Sequence, residues 1–300
     1  MGSSPWDREH GMCYIPPQED PYSTASKRAL RESPVRFFLR DAVTLVRLLR
    51  YIPWLFLPLR SKDKNSELFP NKRRPWESLL QGFLAIFEVL LLLLSLPAFV
   101  VLPGGILLLI FALVVLSIYL LALPLTGPGV SSSNPELIPA NTLAEHATEC
   151  WLFVNGCASG YHTLQRDIDC ISCVFGRKVT GIHNKTYGLT ADILECLIQR
   201  VFDYKTTDTR VAYERIKAVV CDEMVTKVVL IGHSQGGIVI SLVLDQLFTE
   251  LPHSTMSKLE VYTFGSAASH FPNPRVSDSS TASKKLGLPQ VEHAIKHIEQ

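Results

Sequence analysis

The stretch that most constrains the fold runs from Lys227 to Ser241. It reads as an apolar, β-branched run, then Gly-His-Ser-Gln-Gly, then a second apolar run with amphipathic spacing. The first run is typical of a buried strand and the second of a helix. Gly232 and Gly236 stand two residues on either side of Ser234, where a Cβ would collide across a sharp turn. The sequence therefore predicts a strand, a tight turn with Ser234 at its apex, and a helix.

A serine at such an apex has a chemical use. The turn holds its hydroxyl away from the sheet, at the N-terminus of a helix that we expect to begin near Gln235. There the helix dipole and the backbone N–H groups can stabilise a developing negative charge. The Gly-x-Ser-x-Gly pattern between a strand and a helix is typical of the nucleophile elbow of α/β-hydrolases. We interpret Ser234 as a nucleophile; the alternative is a glycine-rich turn without catalytic use.

Two long apolar runs precede this region. Glu88 is the only charged residue in 79–102, and 106–125 contains none. Each run reaches the ~20 apolar residues needed to cross a bilayer, and Pro103-Gly104-Gly105 between them is typical of a turn. We expect a transmembrane helical hairpin over 76–126, with a buried pair of soluble helices as the alternative. A charge in lipid is costly, so we expect Glu88 to face the partner helix or to be protonated.

Charge is unevenly distributed along the chain. Residues 27–74 carry 13 Lys and Arg against 4 Asp and Glu, although the net charge of the whole chain is only +1. A basic arm beside a hydrophobic hairpin favours contact with anionic membrane lipid and not with nucleic acid. Because Lys72-Arg73-Arg74 directly precedes the first run, we expect the arm and the C-terminal domain on the cytosolic face. Asn184-Lys-Thr186 is a glycosylation sequon that would instead indicate the lumen if it were used.

The N-terminal region divides into two parts. Residues 1–34 have the composition of a disordered tail, and 35–75 form a basic amphipathic arm. On a helix over Val35–Tyr51, four arginines fall on one stripe and the large apolar side chains lie elsewhere. The arginines are Arg36, Arg40, Arg47 and Arg50, and the apolar residues are Phe37, Phe38, Leu45, Leu48 and Leu49. We interpret this helix as lying in the headgroup plane; the alternative is a surface helix packed on the C-terminal domain.

Residues 145–300, which follow a linker over 127–144, alternate predicted strands with predicted helices. Besides the strand before Ser234, the strands are Cys150–Val154, Val179–Ile182 and Lys258–Phe264. The helices are Leu189–Phe202 and Asp208–Glu223, the latter with Asp208 as its N-cap. Strands separated by helices predict an α/β fold with a mostly parallel sheet and helices on both faces.

The oxyanion hole of an α/β-hydrolase takes one N–H from the residue after the nucleophile, here Gln235, and one from a loop after an earlier strand. Asn155-Gly156 opens a glycine-punctuated loop after a predicted strand, so its backbone can approach a carbonyl oxygen closely. We therefore assign the oxyanion hole to Gln235, Asn155 and Gly156. The alternative is an ordinary strand-to-helix turn.

Several segments of 145–300 together resemble fungal lipase-like serine esterases, which are α/β-hydrolases and often membrane-associated. The segments are Trp151–Gly156, Val179–Asn184, Tyr187–Gly188, Ile231–Gly237 and Tyr262–Ser266. The resemblance implies hydrolysis of an ester by Ser234, with Gln235 and the Asn155–Gly156 loop supporting the oxyanion. We expect a lipophilic carboxylic ester as substrate and no cofactor. Cys170 and Cys173 lack a second ligand pair, so we expect core thiols and no metal.

The chain departs from the family pattern after Ser234. In this fold the catalytic acid and the base follow the serine on later loops. The later histidines are His253, His270, His293 and His297, and the later acids include Asp245, Asp278, Glu292 and Glu299. His253 and His270 come too early for the base, His293 and His297 fit either a helix or a strand, and Asp278 is the best acid. We therefore expect the strands that carry the acid and the histidine to be missing at the C-terminus.

Two hypotheses follow for the function. The first is a membrane-anchored serine hydrolase that cleaves a lipophilic ester. The second is a non-catalytic, hydrolase-like membrane protein, or an inactive fragment that lacks the acid and the histidine. A serine hydroxyl is a poor nucleophile without a base, so reactivity of Ser234 separates the two.

Overall fold

The computed structural model describes residues 33–51 and 75–272. The helices are α1 (Pro34–Leu48), α2 (Pro75–Val101), α3 (Gly104–Ala122), α4 (Ala140–Glu145), α5 (Tyr161–Phe175), α6 (Leu189–Phe202), α7 (Thr207–Val220), α8 (Gln235–Glu250) and α9 (His253–Met256). The strands are β1 (Val130–Ser132), β2 (Glu149–Val154), β3 (Val179–Ile182), β4 (Lys227–His233) and β5 (Leu259–Phe264). The predicted disordered tail lies almost entirely outside the described residues, as does the second half of the basic arm.

The strands form one sheet in the order β1-β3-β2-β4-β5. All neighbours pair in parallel except β1, which is antiparallel to β3. The predicted α/β class with a mostly parallel sheet is therefore confirmed. In the register, Val154 lies beside Ile182 on one side and beside Gly232 on the other. The carboxyl ends of the central strands thus meet at one edge, where ligands bind in open α/β sheets.

Helices cover both faces of the sheet. On one face α7 and α8 bury a continuous aliphatic core against β2 and β4, in which Ile216, Leu230 and Ile240 are fully buried. On the other face, Leu164 and Ile168 of α5 pack against β2, β3 and β4. Cys170 and Cys173 are exposed free thiols, not core thiols. The buried stripe of α5 is formed instead by Leu164, Ile168 and Ser172.

The stretch expected to be a linker, 127–144, contains β1 and α4. Ser133 holds it on the sheet, because its backbone N–H donates to the Val179 carbonyl at 2.8 Å and its hydroxyl accepts from the Val179 N–H at 3.0 Å. A strand of three residues is too short to show an alternation of apolar and polar residues. The composition of the segment therefore predicts a linker, and the strand is not detected from the sequence.

The two apolar runs form the helices α2 and α3, each long and apolar enough to span a membrane. They are joined at Pro103, whose carbonyl accepts from the Ile106 N–H at 2.9 Å and the Leu107 N–H at 3.1 Å. We expected Glu88 to face the partner helix or to be protonated, but the hydrogen bond that the structure shows for it is to the α/β domain. Its carboxylate accepts from the Thr190 N–H at 2.8 Å, at the start of α6. A free N–H at a helix N-terminus is a favourable partner for a carboxylate.

Helix α1 packs on the C-terminal domain, as the alternative interpretation proposed. The Phe38 and Phe202 rings lie 6.1 Å apart, and Arg200 Nε donates to Asp41 at 2.8 Å. A second face remains exposed, however, and carries the aliphatic side chains of Val35, Leu39, Val43 and Val46. Because this apolar face is exposed, it is available to lipid, and the interpretation that α1 lies in the headgroup plane stays a prediction.

The expected N-cap of α7 was wrong. Thr206 caps the helix, with its hydroxyl accepting from the Thr209 N–H at 3.3 Å. Asp208 instead accepts from the Lys185 N–H at 3.0 Å, in the loop between β3 and α6. A long-range partner of this kind overrides the local preference that places Asp at an N-cap.

Candidate active site

Ser234 occupies a one-residue turn between β4 and α8. Its backbone has φ 51° and ψ −115°, which is uncommon for a residue with a Cβ and costs about 1–3 kcal/mol. Three hydrogen bonds of 3.0 Å hold it there: its N–H donates to the Phe264 carbonyl, and its own carbonyl accepts from the Gly237 and Ala267 N–H groups. Strain maintained by the surrounding structure is a feature of functional sites.

The glycines on either side are required by close approaches. A Cβ on Gly232 would lie 2.6 Å from Ile240 Cδ1 and 3.2 Å from the backbone of Gly236, across the turn. A Cβ on Gly236 would lie 2.8 Å from the carbonyl carbon of Val154 and 2.9 Å from the carbonyl oxygen of Asn155. Glycine is thus required at two positions for different reasons. At Gly232 a side chain would collide across the turn, and at Gly236 it would collide with the end of β2, on which α8 packs.

The loop after β2 lies directly against the nucleophile candidate. A Cβ on Gly156 would be 2.7 Å from Ser234 Cβ and 3.1 Å from the His233 carbonyl oxygen. Gln235 is the first residue of α8, so its N–H has no acceptor within the helix. The structure therefore brings Gly156, Ser234 and Gln235 together. Backbone N–H groups of the loop and of the helix start can converge on an oxygen bound beside the hydroxyl.

Asn155 fixes this loop through its side chain. It is 1 % exposed, its Nδ2 donates to the carbonyls of Asn184 at 2.8 Å and Ser159 at 3.2 Å, and its Oδ1 accepts from the Asn184 N–H at 2.7 Å. Both ends of the amide are thus engaged by backbone. Asn155 contributes by positioning the loop, and its side chain is not directed at a substrate oxygen.

Asp192 provides a second anchor that the sequence analysis missed. Its carboxylate accepts from the Ala158 N–H at 2.7 Å and from the Tyr187 N–H at 3.0 Å. Ala158 has φ 51°, so this bond holds another strained residue in the loop. Burial raises the pKa of Asp192 above its ordinary value despite these two donors. An acid in the first turn of a helix was the only sequence signal, and it does not identify a distant partner.

The Gln235 side chain links the loop to α6. Its Oε1 accepts from Asn184 Nδ2 at 2.9 Å and from Cys157 Sγ at 3.2 Å. Its Nε2 donates to Gln199 Oε1 at 3.1 Å and to Glu195 Oε1 at 3.3 Å. Gln235 is 1 % exposed, and every polar atom of its amide is bonded. This network fixes the first residue of α8, directly after Ser234.

Glu195, at the end of this network, makes stability depend on pH. Burial, together with the charges of Asp192 and Asp208, raises its pKa from 4.5 to about 7. Between these values the folded carboxyl keeps a proton that the unfolded one has lost. The folded state then binds more protons, so this group lowers the stability as the pH rises from 4.5 to about 7.

We therefore expect Glu195→Gln to gain stability relative to the natural chain as the pH rises from about 5 to about 8. The glutamine keeps the oxygen that accepts from Gln199 at 2.9 Å and cannot ionise. The measurement is the urea midpoint of the full chain in detergent at both pH values. Glu136→Gln, at an exposed glutamate, is the matched control. Equal pH dependence of the Glu195 variant and the natural chain would contradict the prediction.

Two of the later histidines can be placed, and neither serves Ser234. His270 Nε2 lies 3.2 Å from Asp245 Oδ2. Asp245 is three turns along α8 from Ser234, about 16 Å at the rise of an α-helix. His253 begins α9, beyond the far end of α8. His293, His297, Asp278, Glu292 and Glu299 lie outside the described residues. Within the described ranges, the hydroxyl of Ser234 forms no hydrogen bond.

The sequon asparagine is part of the scaffold. Asn184 is 2 % exposed, and its Nδ2 donates to Gln235. Glycosylation requires an exposed acceptor, so the folded domain has no room for a glycan at this position.

A methyl group on Gly156 tests whether the loop sets the reactivity of Ser234. We expect Gly156→Ala to slow reaction of Ser234 with a fluorophosphonate about 100-fold, because displacement of a reacting group by about 1 Å costs that much. The measurement is the labelling rate of the full chain in detergent. Cys157→Ser is the matched control, since a serine keeps a donor for Gln235. An unchanged rate for Gly156→Ala would show that the loop does not contact the reacting centre.

Among residues 33–51 and 75–272, no group of three His, Cys, Asp or Glu side chains is arranged to hold a metal ion. Comparisons with protein-family models, with curated proteins and with solved structures found no match.

Proposed function

We propose that this chain is a membrane-anchored serine hydrolase of the α/β-hydrolase type that cleaves a lipophilic carboxylic ester through Ser234. The observation that carries the proposal is the backbone of Ser234, with φ 51° and ψ −115° between a parallel strand and a helix. The backbone of Gly156 lies against it. A strained turn with an oxyanion loop beside it is the arrangement that acyl transfer to serine requires.

The strand order supports the α/β-hydrolase assignment. Strand β2, which delivers the Asn155–Gly156 loop, is the direct neighbour of β4, which delivers Ser234. Both loops therefore leave the same edge of the sheet side by side. The α/β-hydrolase oxyanion hole also combines N–H groups from a loop after an earlier strand and from the residue after the nucleophile.

In the proposed reaction, Ser234 Oγ attacks the acyl carbon and a base takes the hydroxyl proton. The carbonyl oxygen becomes an oxyanion, to which the N–H groups of Gln235 and of the Gly156 loop donate. The bond to the alcohol then breaks as the base returns the proton to the leaving oxygen. Water releases the acyl group in a second, equivalent step. No step needs a cofactor.

The membrane helices support a lipophilic substrate. Helix α6 bonds to Glu88 of α2 at its start and to Gln235 beside the nucleophile through Glu195 and Gln199. Along α6, Thr190 is thus separated from Glu195 and Gln199 by about 8–14 Å at the helical rise. An ester that partitions into the bilayer is concentrated near this site. With Lys72-Arg73-Arg74 before the hairpin, the proposed location of the domain is the cytosolic face.

The second candidate is a non-catalytic, hydrolase-like membrane protein or an inactive fragment. The absence of a hydrogen bond to the Ser234 hydroxyl, within the described part of the chain, favours it. A serine without a base reacts slowly, so the two candidates differ in a measurable property.

The deciding experiment is reaction of the full chain in detergent with a fluorophosphonate, followed by location of the modified residue by tandem mass spectrometry. The serine hydrolase is expected to react through Ser234, with fluoride as the leaving group. Reaction no faster than that of the heat-denatured chain, in a sample that unfolds cooperatively, would establish the non-catalytic candidate instead.

A further inference from the structure

Among the side chains of the hairpin that the structure describes, the buried ones lie only at its domain end. In α2 they are Gln81, Leu84 and Glu88, which are 7 %, 0 % and 6 % exposed; at the end of α3 it is Ala122, and three residues later Leu125, both 0 % exposed. From Val89 to Leu121, every side chain that the structure describes is at least partly exposed. Only the part of the hairpin beyond Glu88 is therefore available to lipid on all sides.

Glu88 fixes the level at which this part begins. Its carboxylate accepts from the Thr190 N–H at 2.8 Å, and a Cβ on Gly188 would lie 2.7 Å from Glu88 Cδ. Both partners belong to the start of α6, in the α/β domain. Since that domain carries charged side chains and irregular loops, its backbone at this level lies outside the hydrocarbon. The headgroup layer of the membrane thus begins after Glu88, and the hydrocarbon begins beyond that layer.

Beyond Glu88, the remaining length of α2 is too short to cross a bilayer. Helix α2 ends at Val101, so 13 residues follow Glu88. At the helical rise they reach about 20 Å, whereas the hydrocarbon core is about 30 Å thick. Of these 20 Å, the headgroup layer on the domain side takes up about 5–7 Å. The tip at Pro103 therefore ends near the middle of the bilayer.

The sequence around the tip agrees with this depth. Between Glu88 and Thr126 there is no charged residue, and the only Trp or Tyr is Tyr119, towards the domain end. Helices that cross a bilayer are usually anchored at both interfaces by Trp, Tyr, Lys or Arg, and no such anchor is present at the tip. Pro103 lacks an N–H, and Ser95 and Ser117 donate to their own helices at 2.7 Å. These features reduce the number of unpaired polar groups in lipid.

We infer that α2 and α3 form a re-entrant hairpin that enters one leaflet, with its tip in the hydrocarbon and the α/β domain on the headgroups of that leaflet. This inference rests on the membrane anchoring in the proposed function, and it replaces two full spans with a one-sided anchor. The lipid surface that the hairpin contacts is a single leaflet. The domain and its site therefore stay on the side from which the hairpin enters.

The test uses cysteines placed in a part of the chain that has none. All natural cysteines lie outside 14–149, so peptides of the hairpin report only an engineered thiol. Gly105→Cys is placed at the tip, and Leu79→Cys, at a position 72 % exposed, is the matched control near the domain. The full chain is reconstituted in sealed vesicles of phosphatidylcholine and phosphatidylserine. A membrane-impermeant charged maleimide is then supplied outside the vesicles or enclosed within them.

With the maleimide on either side, we expect Gly105→Cys to react at least about tenfold more slowly than Leu79→Cys reacts with the maleimide on the domain side, because a thiol in hydrocarbon is not ionised. Both should react at similar rates once detergent dissolves the vesicles. Fast reaction of Gly105→Cys from the side opposite to Leu79→Cys would show that the hairpin crosses, which overturns the inference but keeps the membrane anchor. Fast reaction from the same side, or extraction of the chain by alkaline carbonate, would overturn both. Neither outcome depends on the reactivity of Ser234, which the fluorophosphonate measures separately.

Discussion

Replacing Ser234 by alanine is expected to abolish fluorophosphonate labelling and to lower ester turnover at least about 1,000-fold, while the stability changes by less than about 1 kcal/mol. The reacting oxygen is lost entirely. The side chain stands half-exposed at the apex of the turn, and the three backbone hydrogen bonds that hold the turn do not involve it. Alanine also carries a Cβ, so the cost of φ 51° is nearly unchanged.

The measurements are tandem mass spectrometry of the labelled chain and thermal unfolding of the same sample in detergent. Ser266→Ala is the matched control: Ser266 follows β5 at the same sheet edge, and its hydroxyl accepts from the Ala268 N–H at 3.2 Å. Labelling should survive in this control. A large fall in the unfolding temperature of Ser234→Ala would instead assign Ser234 a structural role.

The strand, turn and helix around Ser234 could be predicted from the sequence because every signal is local. A β-branched run, two glycines at fixed offsets and helical spacing determine the backbone within 15 residues. The loop at Asn155 and Gly156 was predictable for the same reason, since Asn-Gly at the end of a strand is typical of a turn. Such signals identify which backbone groups approach the nucleophile.

Side-chain partners far apart in the chain could not be predicted. Asp192 bonds to Ala158, 34 residues away, and Glu88 bonds to Thr190, 102 residues away. Neither carboxylate has a local pattern that distinguishes it from a solvated acid. For the same reason, the N-cap of α7 is Thr206 and not the expected Asp208. The Asp208 carboxylate accepts from the backbone N–H of Lys185 instead. Buried polar groups require partners, but the sequence does not say which.

Gly236→Ala is expected to cost about 3 kcal/mol or more of unfolding free energy. The added Cβ would lie 2.8 Å from the carbonyl carbon of Val154 and 2.9 Å from the Asn155 carbonyl oxygen. Both are backbone atoms, so no rotamer change relieves the contact. Helix α8 would have to move away from β2, and most of its residues, including Ile240 and Leu247, are buried in the core. The measurement is the urea midpoint of the full chain in detergent.

Two other glycines give a graded series in the same measurement. At Gly232, the nearest atom to an added Cβ is Ile240 Cδ1, the flexible end of a side chain, and the backbone of Gly236 is 3.2 Å away. We expect an intermediate loss for Gly232→Ala. At Gly129, the nearest atom is Val211 Cγ1 at 3.7 Å, so Gly129→Ala should change the stability by less than about 0.5 kcal/mol. Equal losses at all three positions would mean that the close packing of α8 on β2 does not explain why glycine stands beside Ser234.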